Sequence, residues 1–199
     1  MDPRLYYTPE REGYLGISEL GRAEVLFILR EPNDNNNENK FWFKNDVYQP
    51  KIENKYYKLL SLLADILLHS KESFHDKLGK CAYINLYPLS GESSVSKKYK
   101  DMTPQEICGR LTSCFKALKP RKIVCCMDIY DKIVSNFEEV KELNGFTYKN
   151  TKKEKRFRAC TIQANNEIIE VYEFYHPKAR FAFDETNVIF KGEHHGEIL

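Results

Sequence analysis

The apolar run Val25-Leu26-Phe27-Ile28-Leu29 stops abruptly at Arg30-Glu31-Pro32-Asn33-Asp34. A run this short, apolar and partly β-branched or aromatic reads as a buried strand. A carboxylate, a proline and polar turn-formers come directly after it. Pro32 fixes its own φ and biases Glu31 toward extended geometry. Ligands of open α/β sheets sit at the carboxyl ends of the strands. Glu31 is therefore placed where such folds do their chemistry; the competing reading is a strand that ends in a solvated loop.

The rest of the chain alternates strands and helices. Residues 1–22 are polar and rich in Tyr and Gly, and read as an irregular arm. The first strand spans about 24–30. Residues 31–54 read as a long loop containing Asp34-Asn35-Asn36-Asn37-Glu38-Asn39, and loops of that length inside a compact domain are usually functional or mobile. Residues 55–69 fit a well-buried helix, and 80–86 a second strand. Thr103-Pro104-Gln105-Glu106 supplies an N-cap, a first-position proline and a capping-box glutamate for a helix that runs to Leu118. Lys119-Pro120 ends it and launches a third strand over 122–127. A helix is expected at 128–140, closed by Asn144-Gly145. Residues 156–163 and 167–175 read as two strands joined through Ala164-Asn165-Asn166. This β–α–β–α–β order implies a single-domain α/β protein with a central, mostly parallel β-sheet between helical layers.

Composition narrows the class. At 199 residues the chain can bury one sizeable core. Formal net charge is only +2, from 31 basic and 29 acidic residues, so any nucleic-acid contact must rest on local basic groups. No apolar stretch is long enough to span a bilayer, and the amino terminus lacks a charged-then-apolar leader. The six cysteines, Cys81, Cys108, Cys114, Cys125, Cys126 and Cys160, form no C-x-x-C pair. They read as reduced core thiols of a cytoplasmic protein, with no metal or iron–sulfur site. The run Lys152-Lys153-Glu154-Lys155-Arg156 reads as a solvated hairpin edge, and His194 and His195 as incidental.

Three strand ends carry polar chemistry. Glu31 lies just past the first strand, Asn85 ends the second within Cys81-Ala82-Tyr83-Ile84-Asn85-Leu86, and His176 lies just past the last. A carboxylate can position or activate water, an amide can read a base edge through paired donor and acceptor bonds, and an imidazole can stabilise charge developing on a carbonyl oxygen. That set suits hydrolysis at an electron-poor heterocycle.

In this order the residues resemble the uracil-DNA glycosylase superfamily over about 24–183. Leu29-Arg30-Glu31-Pro32-Asn33 occupies the place of the family's G-Q-D-P-Y motif. Asn39-Lys40-Phe41-Trp42 is similar to the N-x-F-W of the mismatch- and hypoxanthine-type branches. Ile84-Asn85-Leu86 resembles the base-reading strand, Lys119-Pro120 the lysine–proline before a strand, and His176-Pro177-Lys178 the final H-P-S. Leu29 stands where the family carries glycine, Glu31 where its commonest form has aspartate, and Lys178 where it has a small residue.

The resemblance implies a monofunctional DNA glycosylase that needs no metal or organic cofactor; no lysine is poised for Schiff-base chemistry, so strand cleavage is not expected, and the chain reads as a monomer. Glu31 would orient water and His176 stabilise the leaving base. Asn85 would read the base, with Phe41, Trp42 or Phe43 stacking on it, and Arg30, Lys178, Arg180 and Phe181 would hold or wedge the DNA. Two other readings stand beside it. One is a non-catalytic nucleic-acid or nucleotide-binding module on the same fold, which Leu29 and Lys178 favour. The other is a nucleotide-processing enzyme on a similar scaffold, which suits the low net charge.

Overall fold

The computed structural model describes residues 7, 13–15, 21–29, 55–69, 72–87, 102–149, 154–175 and 188–190. Its centre is four parallel strands: β2 (Val25–Leu29), β3 (Cys81–Asn85), β4 (Lys122–Cys126) and β9 (Glu167–Phe174). They lie in the order β3-β2-β4-β9. The two-residue β1 (Gly13–Tyr14) adds antiparallel beside β3, and β8 (Ala159–Ala164) and β5 (Glu138–Leu143) add antiparallel beyond β9, making seven strands. A smaller sheet holds β10 (Val188–Phe190), β6 (Phe146–Lys149) and β7 (Glu154–Arg156), in that order.

Helices cover both faces of the large sheet, as near-continuous apolar parallel strands require. On one face, α3 (Pro104–Leu118) and α4 (Met127–Val134) bury Ile107, Leu111, Phe115, Ile129 and Ile133 against Leu26, Ile28, Ile84 and Ile123. On the other, α1 (Lys55–Leu68), α2 (Phe74–Gly79) and the small sheet bury Leu60, Leu63, Leu78, Phe146 and Tyr148 against Val25, Phe27, Tyr83 and Phe174. The end of α1 is tied to the sheet where Lys122 Nζ donates to the Leu67 carbonyl at 2.8 Å.

Local signals set several boundaries. Thr103 Oγ1 accepts from the Glu106 amide at 3.2 Å, and the Thr103 amide donates to Glu106 Oε2 at 2.8 Å, closing the capping box at the expected place. The other end of α3 turns at Lys119, in the left-handed region at φ 45°, just before Pro120. The β8–β9 hairpin turns on Asn165 and Asn166, at φ 52° and 63°. Two positive φ angles in a two-residue loop match the right-handed twist of the flanking strands, and asparagine tolerates them.

The sequence reading departs from the structure in three places. The helix expected at 128–140 ends at Val134, where the Ser135 amide donates to Asp131 O and Asn136 Nδ2 to Lys132 O. Residues 138–143 form β5 instead, paired with β8 through an irregularity between Glu139 and Lys141. The amino-terminal arm supplies β1, with the Leu15 amide donating to Cys81 O. The segment after Asn144 forms β6, and the first of the two predicted final strands starts at Ala159 rather than 156 because Glu154–Arg156 pair with β6 as β7. That pairing puts the described part of the basic run on the edge of the small sheet, as expected of a solvated hairpin edge.

Candidate functional site at the carboxyl edge

The strand order fixes where a ligand would bind. From β2 the chain passes to β3 on one side, and from β4 it passes to β9 on the other. The sheet therefore reverses direction between β2 and β4, and the crevice outside the carboxyl ends of such a pair is where open α/β sheets bind ligands. Leu29 closes β2, Asn85 closes β3, Cys126 closes β4 and Phe174 closes β9.

Asn85 is 4% exposed and pairs in parallel register with Leu29. Strand alternation sets its side chain on the face of Tyr83, toward α1. The next amide, Leu86 N, donates to Leu29 O at 2.7 Å, so the pairing persists past the strand end. Glu31 lies two residues beyond Leu29, and His176 two residues beyond Phe174, in the sequence. The β9 end is separated from β2 by β4, about 10 Å at the usual strand spacing. Glu31, His176, Phe41, Trp42, Phe43, Arg30, Lys178, Arg180 and Phe181 themselves lie outside the described residues.

Two arginines near this edge escaped the sequence reading. Arg110 of α3 is fully buried. Its Nε donates to Leu86 O at 2.9 Å and to Asn85 O at 3.2 Å, and its Nη2 also reaches Asn85 O. The guanidinium thus holds the backbone that presents Asn85. A signal was available: Arg110 falls on the same helical stripe as Ile107, Leu111 and Cys114, a core-facing position where a charge requires partners.

Arg158 sits just before β8 and grips Glu173, which is 4% exposed on β9. Nε and Nη2 donate to the two carboxylate oxygens at 3.1 Å each, and the Arg158 amide adds a third bond at 3.0 Å. Nη1 reaches Asp131 of α4 at 2.6 Å, and the guanidinium stacks 4.6 Å from the Tyr130 ring centre. The hydrogen bonds to Glu173 and then Asp131 push the guanidinium further above its ordinary range. Here the signal was Glu173 itself, a carboxylate inside Val171-Tyr172-Glu173-Phe174.

The thiols on this side are held neutral. Burial pushes Cys125 well up, and its Sγ lies 3.6 Å from Tyr172 O. Burial also raises Cys160 and Tyr130. Such groups are poor nucleophiles. None of the six cysteines is in a disulfide and five are buried, in keeping with the sequence reading of core thiols. The described residues contain no group of three or more metal-ligating side chains, and no helix among them is long and apolar enough to cross a membrane.

Comparison with known proteins returns no matching family model, no matching curated protein and no matching solved structure.

Proposed function

We propose that this chain is a DNA glycosylase-like protein that hydrolyses the N-glycosidic bond of a flipped, damaged or modified base, on a three-layer uracil-DNA glycosylase-like fold. The observation that carries the reading is the Leu29–Asn85 pairing beside the β2/β4 reversal. It supports a common origin, at one edge of the sheet, for the Glu31 segment and the amide that would read the base. In this reading the nucleotide leaves the stack and its base enters a pocket between Phe41, Trp42 or Phe43 and the strand ends. Asn85 pairs with the base edge, Glu31 orients water toward the sugar carbon, and His176 stabilises the departing base. Arg30, Lys178 and Arg180 contact phosphate and Phe181 fills the gap. The partner is DNA and the working unit a cytoplasmic monomer.

The test is base release from a panel of oligonucleotides carrying different modified bases, for wild type and Glu31→Gln. Wild type should release at least one base and Glu31→Gln none, with DNA binding kept. A second reading, a binding module without turnover, is favoured by Leu29, whose side chain is buried among Phe27, Leu59 and Leu60 where the family carries glycine. Binding without release across the whole panel would select it.

A further inference from the structure

The small sheet has two chemically different faces. Phe146 and Tyr148 of β6 point into the core. By alternation Thr147 and Lys149 point outward, as do Glu154 and Arg156 of β7. Thr147 is the direct cross-strand partner of Arg156, and Lys149 of Glu154. This outward face and the end of β5 enclose a recess of about 500 Å³, lined also by Glu142, Gly145 and Phe157, a volume in the range of ligand sites.

The recess floor depends on close backbone contact. A Cβ on Gly145 would come within 2.0 Å of the Phe157 carbonyl oxygen, so a residue with a side chain would push the two segments apart. The cations of the recess are loosely held. Glu154 alone, among the described residues, faces both Lys149 and Arg156, at 3.6 Å each. It meets Arg156 through Nε, which leaves the guanidinium fork open to solvent. Arg158, by contrast, is committed to Glu173 and Asp131. With Arg158 taken up by Glu173 and Asp131, the lining sets two cations (Lys149, Arg156) beside two carboxylates (Glu142, Glu154).

The recess shares an edge with Asn85. Because β8 runs antiparallel to β9, its first residue Ala159 pairs with Tyr172, near the carboxyl end of β9. Leu143, at the end of β5, pairs with Ala159. Four strand steps separate β3 from β8, about 20 Å at the usual spacing.

We propose that this recess binds a phosphodiester of the nucleic-acid strand, with Arg156 and Lys149 as its cations and Thr147 as a hydroxyl donor. A guanidinium fork beside an ammonium and a hydroxyl is a phosphate-binding set. Ala159 and Leu143 place the recess at the same edge of the large sheet as Asn85, so a strand running along that edge would meet both. The position of the strand relative to Asn85 rests on the glycosylase reading; the phosphate chemistry of the recess does not.

The experiment is oligonucleotide binding across a salt series for wild type, the double variant Lys149→Ala/Arg156→Ala, Thr147→Val and Glu154→Gln, with thermal melts to confirm folding. The double variant should weaken binding at least tenfold and lower the slope of log affinity on log salt by about 2, one for each lost contact. Glu154→Gln should tighten binding. Unchanged affinity and slope in the double variant, or no binding by wild type at low salt, would overturn the proposal. Inorganic phosphate and a mononucleotide serve as competitors. If either displaces the oligonucleotide at equal phosphate concentration, the site takes small phosphates and the nucleic-acid assignment fails. Base release is monitored in parallel. Lost binding in the variant with no release by wild type leaves the recess standing and removes the glycosylase reading; release with unchanged binding does the reverse.

Discussion

The guanidinium of Arg110 is bonded to the backbone carbonyl of Asn85, so a fully buried charge on α3 holds the residue that closes β3. The same group bonds Leu86 O, fixing the first two carbonyls at the carboxyl end of the strand. Removing a buried charge from water is costly unless hydrogen bonds compensate. Its placement at the strand end beside the β2/β4 reversal gives that edge a rigid support.

Arg110→Met should therefore destabilise the protein. Methionine fills much of the space but donates nothing, and each orphaned carbonyl costs roughly 1–3 kcal/mol. Urea denaturation is the measurement. A midpoint within error of wild type would mean that water or another donor replaces the guanidinium, and that the strand end does not depend on it.

Arg158 and Glu173 should couple strongly, Arg158 and Asp131 weakly. Glu173 is buried, whereas Asp131 is exposed. A double-mutant cycle on Arg158→Ala and Glu173→Gln is expected to give a coupling of roughly 1–3 kcal/mol. Asp131→Asn should cost less than about 1 kcal/mol, as exposed pairs do. Equal coupling to both acids would show that burial does not control the network.

Stability should fall in the alkaline range. Burial raises Cys81, Cys125 and Cys160 above the ordinary 9.0, and Tyr130 and Tyr172 above the ordinary 10.0. The folded chain then holds protons that the unfolded chain has released. Unfolding free energy declines wherever the unfolded state binds fewer protons. The contribution is intact below pH 9 and is lost as pH climbs through the folded values. Thermal melts from pH 7 to 11 should show Tm flat and then falling above about pH 9; a flat Tm throughout would mean these groups titrate alike in both states.

The parallel core was legible because its signals are local. Val25–Leu29 and Cys81-Ala82-Tyr83-Ile84 are continuous apolar runs, Thr103-Pro104-Gln105-Glu106 announces a helix start, and Asn165-Asn166 a tight turn. β5 was not legible. Glu138-Glu139-Val140-Lys141-Glu142-Leu143 is rich in good helix formers, and only pairing with β8 makes it a strand. Its charges suit an edge, where they discourage pairing with other chains. In the candidate site, Asn85 was legible as an amide ending an apolar strand. The helical stripe marks Arg110 as core-facing, but not its partners, which are backbone carbonyls distant in sequence that no residue type announces.

The amide of Asn85 also gives the glycosylase reading its sharpest check. A carboxamide offers one acceptor and one donor group, whereas an ionised carboxylate offers acceptors alone. Asn85→Asp keeps the size of the side chain, and the stability cost of a carboxylate at this buried strand end is read separately by the melt. A bidentate amide–base pair is worth about 1–3 kcal/mol of discrimination. Single-turnover release of the preferred base should thus fall by roughly 5- to 150-fold, and bases presenting donors to this edge should lose least. DNA binding through phosphate should be nearly unchanged. The measurement is release across the base panel beside a binding titration and a melt. If every base is affected equally, in step with the drop in Tm, Asn85 is a structural amide and some other group reads the base.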